Sequence, residues 1–239
     1  MRIKKGILFI PEILIFMSIS GLIFAYGGGI SEKFSLFTNS KVKASSILNE
    51  KGQSMSTYAP EKAFDNDPKT AWCEGKTDSG IGESIHADIE PTALSEIFFS
   101  PGIIANRNLY NLNNRIKDYE LEIFTNNGKH IIQKGSFKDD FCESEFNMDC
   151  KDEKCFQERK SMCSWGDELF SGKNILIQNG EYVCVIGFTL KIISVYPGLK
   201  YNDTCISEIG FKKTIDINMP TEYKEKIQKK IESVQNNCN

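Results

Sequence analysis

A short loop near the first third of the chain holds several residues that could bind a metal ion. The segment 63–72 reads AFDNDPKTAW, with Asp65 and Asp67 one residue apart and Thr70 three residues later. Calcium takes six to eight oxygen ligands from carboxylates, hydroxyls and main-chain carbonyls, and it accepts irregular geometry. The spacing therefore suggests a calcium loop. Aspartate, asparagine and proline are also ordinary turn residues, so a metal-free surface turn is the alternative from this loop alone.

The sequence lacks the short motifs that carry common catalytic chemistry. It contains no Gly-x-Ser-x-Gly, no His-Glu-x-x-His and no phosphate-binding loop. The two histidines, His86 and His130, fall on predicted strands without a matching nucleophile motif. Glu74 and Glu83 offer two carboxylates to a glycoside hydrolase, but nothing else supports that reaction. We therefore predict a binding protein without catalysis and keep the glycoside hydrolase as the less favoured alternative.

Eight cysteines suggest either disulfide bonds or a metal site. They are Cys73, Cys142, Cys150, Cys155, Cys163, Cys184, Cys205 and Cys238. An even number of cysteines in an exported protein indicates disulfides. Zinc in the segment 142–163 is the alternative, but that segment has no Cys-x-x-Cys pair and neither histidine lies in it. The spacing therefore favours disulfides.

The N-terminus has the composition of an export signal. Three basic residues precede an apolar run over 7–24, and a small residue, Ala25, follows it. Glu12 inside this run argues against a permanent membrane helix, because a carboxylate is costly in lipid. We predict a signal peptide over 1–25 and a flexible lead-in over 26–40, with an uncleaved anchor as the alternative. The protein is then exported to the periplasm, the cell surface or the medium, and no membrane span remains after signal removal.

The overall charge argues against a nucleic-acid partner. The formal net charge is −3 and the sequence pI is about 5.6. Proteins that bind nucleic acid usually carry a basic patch or stripe that neutralises phosphates. The lysines over 224–230 instead fit one face of a helix, so we predict no nucleic-acid binding.

From residue 41 onward the apolar residues mostly follow the period of β-strands. Apolar and polar residues alternate over 84–89, 118–123 and 182–192, with turn signals such as Asn-Asn-Gly at 126–128 between them. Strands at this spacing predict an all-β protein, an antiparallel β-sandwich, and we place this domain over 41–214.

Two segments depart from the strand pattern. The segment 138–172 is acidic, contains four cysteines and shows no alternation, so we predict a disulfide-rich insertion between two strands. The segment 215–239 carries an apolar stripe at helical spacing and predicts a short C-terminal helix. The stripe consists of Tyr223, Ile227, Ile231 and Val234.

The loop 63–72 resembles the signature loop of discoidin-like domains, the class that includes the family 32 carbohydrate-binding modules. The closing strand 205–211 resembles the last strand of those domains. The resemblance is closest to one branch, the glycan-binding domain that assists translocation in bacterial NAD-glycohydrolase toxins. It is carried, in chain order, by the segments 71–75, 80–83, 109–117 and 195–205. The resemblance implies a discoidin-like jelly roll that binds a glycan or glycoconjugate.

The resemblance also implies a structural calcium ion. Its ligands map onto the carboxylates of Asp65 and Asp67, the hydroxyl and carbonyl of Thr70, and Glu208 from the last strand. Ala63 contributes only its carbonyl. Nothing similar to the toxin's catalytic domain follows in this sequence, so the resemblance does not imply hydrolysis of NAD.

A disulfide pairing depends on this implied ion. If the loop and Glu208 hold one calcium, Cys73 and Cys205 begin their strands close together, and we predict a bridge between them. The four cysteines of the insertion would then pair among themselves. Cys184 and Cys238 would pair with each other or with the insertion.

The resembling loops supply aromatic and polar groups for a sugar. The expected ligand-binding residues, which we expect on connections, are Glu74, Tyr110, Asn114, Arg115, Tyr196, Lys200, Tyr201 and Asp203. As alternatives, Arg115 and Asp203 form a structural ion pair, and Tyr110 and Tyr196 are core residues whose hydroxyls reach water. The segment 101–103 reads Pro-Gly-Ile where the family has Asn-Gly-Tyr, so a sugar preference does not transfer. An adhesin-type module that binds a host protein is the alternative function, which the acidic insertion would favour.

Overall fold

The computed structural model describes residues 34–35, 40–139, 173–212 and 220–238. The predicted signal peptide over 1–25 and most of the predicted lead-in lie outside these residues. So do the four cysteines of the predicted insertion, from Cys142 to Cys163. Among the helices in the described ranges, none has the length and apolar character needed to cross a membrane.

The described residues form ten strands and two α-helices, with two short 3-10 turns. The strands are β1 (Phe34–Ser35), β2 (Lys41–Ala44), β3 (Trp72–Cys73), β4 (Ser84–Leu94), β5 (Glu96–Pro101), β6 (Arg115–Thr125), β7 (His130–Ser136), β8 (Lys173–Leu176), β9 (Val183–Tyr196) and β10 (Cys205–Lys212). The helices are α1 (Arg107–Leu112) and α2 (Thr221–Gln235), and the 3-10 turns are Pro60–Ala63 and Ile177–Gly180.

Two antiparallel sheets enclose the core. One has the order β1-β10-β5-β8, with β3 also paired to β10, and the other has the order β2-β4-β9-β6-β7. Fully buried side chains from both sheets meet between them, including Phe99, Leu121, Phe188 and Ile206. The predicted all-β antiparallel sandwich is confirmed.

The alternation in β6 shows why the sequence forms this sandwich. Tyr119, Leu121 and Ile123 are buried against the core, while Glu120 and Glu122 point outward. Successive side chains of a strand face opposite sides of its sheet, so only one register buries the apolar set. The same reasoning predicted the long strand β9.

Several connections meet at one end of the sandwich, which we call the loop end and define as residues 45–59, 74–83, 102–114 and 197–204. Main-chain hydrogen bonds join these connections, such as Glu74 N to Thr204 O at 3.1 Å and Tyr201 N to Leu112 O at 2.9 Å. The antiparallel pairing brings the connections together, because β2, β5 and β9 finish where β4, β6 and β10 begin.

The helix α2, expected within 215–239, is attached near the opposite end of the sandwich. The Gln235 side-chain amide donates to Pro91 O at 3.0 Å, and its oxygen accepts from Ala93 N at 2.9 Å. The pairing of β4 with β9 shifts register between Asp88 and Thr92, close to these two main-chain groups. Such a shift leaves main-chain groups of the strand without a partner in the sheet. A disulfide between Cys184 and Cys238 fixes the same region, which confirms one of the two predicted pairings.

The first sheet begins earlier than the sequence suggested. Strand β1 pairs with β10, with Phe34 opposite Lys212 and Ser35 opposite Phe211. This strand falls inside the segment 26–40 that we expected to be a flexible lead-in. A two-residue strand is too short to show an alternating pattern, so the sequence alone gave no sign of it.

Candidate calcium loop and ligand-binding end

The loop after the first 3-10 turn gathers oxygen atoms around the hydroxyl of Thr70. The Thr70 Oγ1 atom lies 2.9 Å from each carboxylate oxygen of Asp65, and 3.2 Å from the carbonyl oxygens of Lys62 and Asp67. A hydroxyl has one proton to donate, so it cannot satisfy all four acceptors. Other donors reach three of these acceptors, since Asp67 N and Lys62 Nζ lie 3.0 and 3.1 Å from the two Asp65 oxygens and Thr70 N lies 2.9 Å from Asp67 O. The loop thus gathers several hard oxygen atoms of the kind that calcium binds. The buried Ala63 ends the turn that leads into this loop.

Glu208 on β10 faces the same loop. Its side chain is buried, with the residue 4 % exposed, and its Oε1 atom has no hydrogen-bond partner. Burial raises the pKa of this carboxyl to about 8, the charge of Asp65 adds to the rise, and the main-chain N–H groups of Asn66 and Asp67 oppose it. Asn66 has a φ of 60°, a left-handed conformation that asparagine tolerates. Glu208 is thus a buried carboxylate near the charge of Asp65, and one of its oxygens has no partner. A bound cation would compensate both negative charges.

The residues expected from the resemblance therefore fit a calcium ion. In the described ranges, no three His, Cys, Asp or Glu side chains form a metal-binding cluster by themselves. Main-chain carbonyls and the Thr70 hydroxyl must supply the remaining ligands, and calcium accepts both. Sequence reasoning missed the carbonyl of Lys62, because every residue type carries one.

The predicted disulfide between Cys73 and Cys205 is confirmed. The two cysteines are direct partners in the ladder between β3 and β10, and both are fully buried. Cys73 follows the loop 63–72, and Cys205 lies three residues before Glu208. The bridge therefore ties the loop to the strand that carries the buried carboxylate.

Glu74 is buried beneath the loop end. Its carboxylate accepts hydrogen bonds from Lys76 N at 2.7 Å and Thr204 N at 3.1 Å, and burial raises its pKa. Gly80 has a φ of +68°, and a Cβ atom there would lie 2.5 Å from Glu74 Cδ. Glu74 therefore fixes two neighbouring loops from inside. Its role as a ligand contact stays a prediction.

Glu83, the second carboxylate of the hydrolase alternative, is held by two hydroxyls. Ser45 and Ser46 both donate to its Oε2 atom, at 2.6 and 2.5 Å. Burial raises the pKa of Glu83, but these two hydrogen bonds outweigh burial, and the pKa lies below its usual value. Since internal groups engage both Glu74 and Glu83, the geometry gives the hydrolase alternative no support.

Arg115 and Tyr110, which are both buried, form a cluster with Asp139 at the surface. Its guanidinium donates to the Asp139 carboxylate at 3.0 and 2.5 Å, and the Tyr110 hydroxyl donates to the same carboxylate at 3.0 Å. The backbone bends closely around this cluster at Gly102, whose φ is +95° and where a Cβ atom would lie 2.7 Å from Arg115 Cγ. The alternative pairing of Arg115 with Asp203 is wrong, because Asp139 satisfies the guanidinium.

Two of the expected ligand residues are not on connections. Arg115 is the first residue of β6, Tyr196 is the last of β9, and the two are ladder partners. The sequence placed them on connections because the strand patterns are weak at their ends. Tyr110 lies on α1, within the connection 102–114. Asn114 is on a connection but is buried, with its side chain bonded to Asn202 O and Gly198 N.

The ion pair of Arg115 and Asp139 should be coupled because its guanidinium is buried, although its carboxylate is 32% exposed. We expect a double-mutant cycle with Arg115→Met and Asp139→Leu to give a coupling of about 1–2 kcal/mol in urea unfolding, because the loss of Asp139 leaves the buried guanidinium without its carboxylate. The exposed pair of Lys134 and Glu120, 2.9 Å apart, is the matched control and should give about 0.5 kcal/mol or less. Equal coupling in the two cycles would contradict the structural role of Arg115.

A group of accessible side chains remains at the loop end, and we call it the tyrosine patch. It consists of Glu50, Tyr58, Lys200, Tyr201 and Asp203. The Tyr58 hydroxyl donates to Glu50 at 3.1 Å, and the ammonium of Lys200 lies 4.7 Å from the centre of the Tyr201 ring. Burial raises the pKa of Tyr58, and the nearby charges of Glu50 and Asp203 raise it further.

Sequence reasoning found three members of the tyrosine patch and missed Glu50 and Tyr58. A lone aromatic residue in the polar connection 45–59 was the available signal for Tyr58. The remaining expected residue, Tyr196, lies beside the base of the predicted insertion. Its hydroxyl donates to Phe137 O at 3.1 Å, and Lys117 lies over its ring.

Residues 35–212 match the model of the NAD glycohydrolase translocation F5/8 type C domain family. The chain belongs to this family. The match covers well over half of the chain and includes the loop 63–72, both sheets and the loop end. The resemblance expected from the sequence is confirmed. A search among curated proteins finds no match.

Solved structures similar to this F5/8 type C domain include two from Clostridium perfringens. One is the family 32 carbohydrate-binding module of NanJ in complex with galactose, with 13% identity, a TM-score of 0.46, and coverage of 75% of this chain and 97% of that one. Another is a family 32 module from a family 31 glycoside hydrolase, with 14% identity, a TM-score of 0.48, and coverage of 79% and 100%. An F5/8 type C domain from Bacteroides fragilis has 10% identity, a TM-score of 0.47, and coverage of 76% and 97%.

Proposed function

We propose that this protein is an exported, calcium-stabilised carbohydrate-binding module that recognises surface or host glycans and performs no catalysis. The tyrosine patch is the observation that carries this function. Sugar sites combine an aromatic ring, which packs on the apolar face of the sugar, with a few fixed polar groups for its hydroxyls. Tyr58 and Tyr201 offer the rings, and Glu50, Lys200 and Asp203 offer the polar groups.

Calcium has a structural role in this proposal. The ion would bind Asp65, Asp67, Thr70 and Glu208, with main-chain oxygens that include that of Ala63. It would neutralise the buried charge of Glu208 and hold the loop against β10. The disulfide between Cys73 and Cys205 lies beside this ion site. It also restrains the connections 74–83 and 197–204, because Cys73 precedes the first of them and Cys205 follows the second.

Export is supported by the disulfides. The bridges Cys73–Cys205 and Cys184–Cys238 both join residues that are distant in sequence. Such structural bridges persist in oxidising compartments and are rare in the cytosol. A location in the periplasm, at the cell surface or in the medium follows from this proposal.

The glycan-binding proposal can be tested on a glycan array, with the full chain in calcium and in chelator. We expect weak binding of at least one glycan class, because a shallow site buries little of its ligand. Replacing Tyr58 and Tyr201 with alanine should weaken binding about tenfold or more, since stacked aromatic rings dominate such sites. Tyr223→Ala, which removes an exposed tyrosine from α2, is the matched control and should bind as the parent does.

The same experiment separates the second candidate function, binding of a host protein. Two exposed apolar side chains favour it, because Leu199 is 82% exposed and Ile81 is 58% exposed on connections of the loop end. Exposed apolar residues on a rim of polar groups can mark a protein interface. A parent that binds no glycan but binds a purified host protein, and loses it on Leu199→Asp, would replace the glycan proposal.

A further inference from the structure

We propose that the tyrosine patch selects a ligand that carries a primary ammonium group, such as an amino sugar with a free amine, and that Lys200 occupies the place of this group in the free protein. This inference rests on the proposed function, because it names the class of glycan that the same site takes. It goes beyond that function by predicting a charge preference and a competing residue from this chain.

The first observation is the position of the Lys200 ammonium. It lies 4.7 Å from the centre of the Tyr201 ring, within the distance at which a cation is attracted to the face of a tyrosine. Tyr201 is 37% exposed, so a ligand can reach this residue from solvent. The Lys200 ammonium therefore occupies the position over the Tyr201 ring that we assign to the ammonium group of a ligand.

The second observation is the charge around the two rings. Glu50 accepts a hydrogen bond from the Tyr58 hydroxyl. Burial raises the pKa of that hydroxyl, and the nearby charges of Glu50 and Asp203 raise it further. Burial raises the pKa of Asp203 as well, and the charge of Glu50 adds to the rise. Two carboxylates near two aromatic rings stabilise a cation through both charge and ring contact.

The third observation is the charge beneath the patch. Glu74 lies under the same loops, where burial raises its pKa, hydrogen bonds from Lys76 N and Thr204 N oppose the rise, and the charges of Asp203 and Glu83 add to it. The loop end thus places several carboxylates within range of one another, and Lys200 is the lysine that lies over the patch. An added positive charge relieves this repulsion, whereas a neutral sugar does not. The geometry and the charge therefore favour an amine over its acetylated form.

The test compares two tetrasaccharides that differ only at their amines, β-1,4-linked tetraglucosamine and its fully N-acetylated form. Affinities of the full chain are measured by calorimetry at pH 6, where the free amines are charged. We expect the free-amine form to bind about tenfold more tightly. Asp203→Asn should reduce this preference to about twofold, because it removes a carboxylate that attracts the amine.

Lys200→Met tests the competing residue. Because the variant frees the Tyr201 ring, we expect affinity for the free-amine form to rise about threefold. Lys191→Met, which removes an exposed lysine from the outer face of β9, should change neither affinity. Equal affinities for the two tetrasaccharides, or weaker binding of the amine by Lys200→Met, would overturn the inference.

The glycan array distinguishes the two possible failures. If the parent binds neutral glycans on the array and shows no amine preference, the inference fails and the carbohydrate-binding function stands. If the parent binds neither the tetrasaccharides nor any glycan on the array, both fail.

Discussion

Replacing Cys73 and Cys205 together with alanine is expected to destabilise the protein by about 4–5 kcal/mol, because the unfolded chain then loses the constraint of a long closed loop. The bridge joins residues 132 positions apart in sequence. Cys73 lies on β3 and Cys205 on β10, and both are fully buried. A loss of this size should lower the unfolding midpoint by roughly 10 °C or more. Differential scanning calorimetry of the parent and the double variant measures this shift.

The second bridge provides the matched control. Cys184 and Cys238 are 54 positions apart, and the chain-entropy estimate for their loop is about 4 kcal/mol, similar to that for the first bridge. Replacing them with alanine should therefore cost comparable stability, but it should leave glycan binding intact because they lie away from the loop end. The Cys73 and Cys205 variant should lose binding at temperatures where it is still folded. Equal binding by both variants would contradict the role of the first bridge in shaping the site.

Glu208→Gln is expected to have opposite effects in chelator and in calcium. Without the ion at neutral pH, burial raises the pKa of Glu208 to about 8, so this carboxyl must take up a proton when the chain folds. Glutamine removes that cost, and relief of about 2 kcal/mol would raise the midpoint by about 4–8 °C. With calcium, the parent gains stability from an ion that binds only the folded state, and the variant loses an anionic ligand. The parent should then be the more stable protein.

Thermal unfolding of both proteins in millimolar calcium and in chelator tests this reversal. Glu181→Gln, an exposed carboxylate outside the loop, controls for the loss of one negative charge and should shift neither midpoint. A parent with the same midpoint in both solutions would refute the calcium site. A variant less stable than the parent in chelator would show that hydrogen bonds from Asn66 and Asp67, rather than charge, dominate at Glu208.

The strands of the second sheet were predictable, because their core-facing residues alternate with polar ones over long runs. Tyr119, Leu121 and Ile123 show this in β6, where a shift by one residue would expose the whole apolar set. The pairing of Cys73 with Cys205 followed from the resemblance, which placed the loop and Glu208 around one ion. The alternating strand patterns, together with the resemblance that links the loop 63–72 to Glu208, were sufficient to predict the β-sandwich.

The ligand-binding end was less predictable, because contacts between distant residues decide it. Nothing near Arg115 in sequence indicates Asp139 as its partner, since either Asp139 or Asp203 could supply a carboxylate. Glu50 and Tyr58 belong to the tyrosine patch because the connection 45–59 packs close to Asp203, and sequence patterns do not show this proximity. Burial then separated residues that look alike in sequence, leaving Tyr201 accessible and Tyr110 enclosed.

The position of the cysteine-rich segment has an evolutionary consequence. It joins β7 to β8, which are the last strands of their respective sheets, and Gln133 of β7 donates to Leu176 O of β8 at 2.8 Å. Since each of these strands has a ladder partner on one side only among the described residues, the segment between them can lengthen, shorten or change without shifting the register of those strands. Descendants of this chain are therefore free to diversify that segment while the two sheets keep their pairing, as antibody loops diversify on a fixed framework.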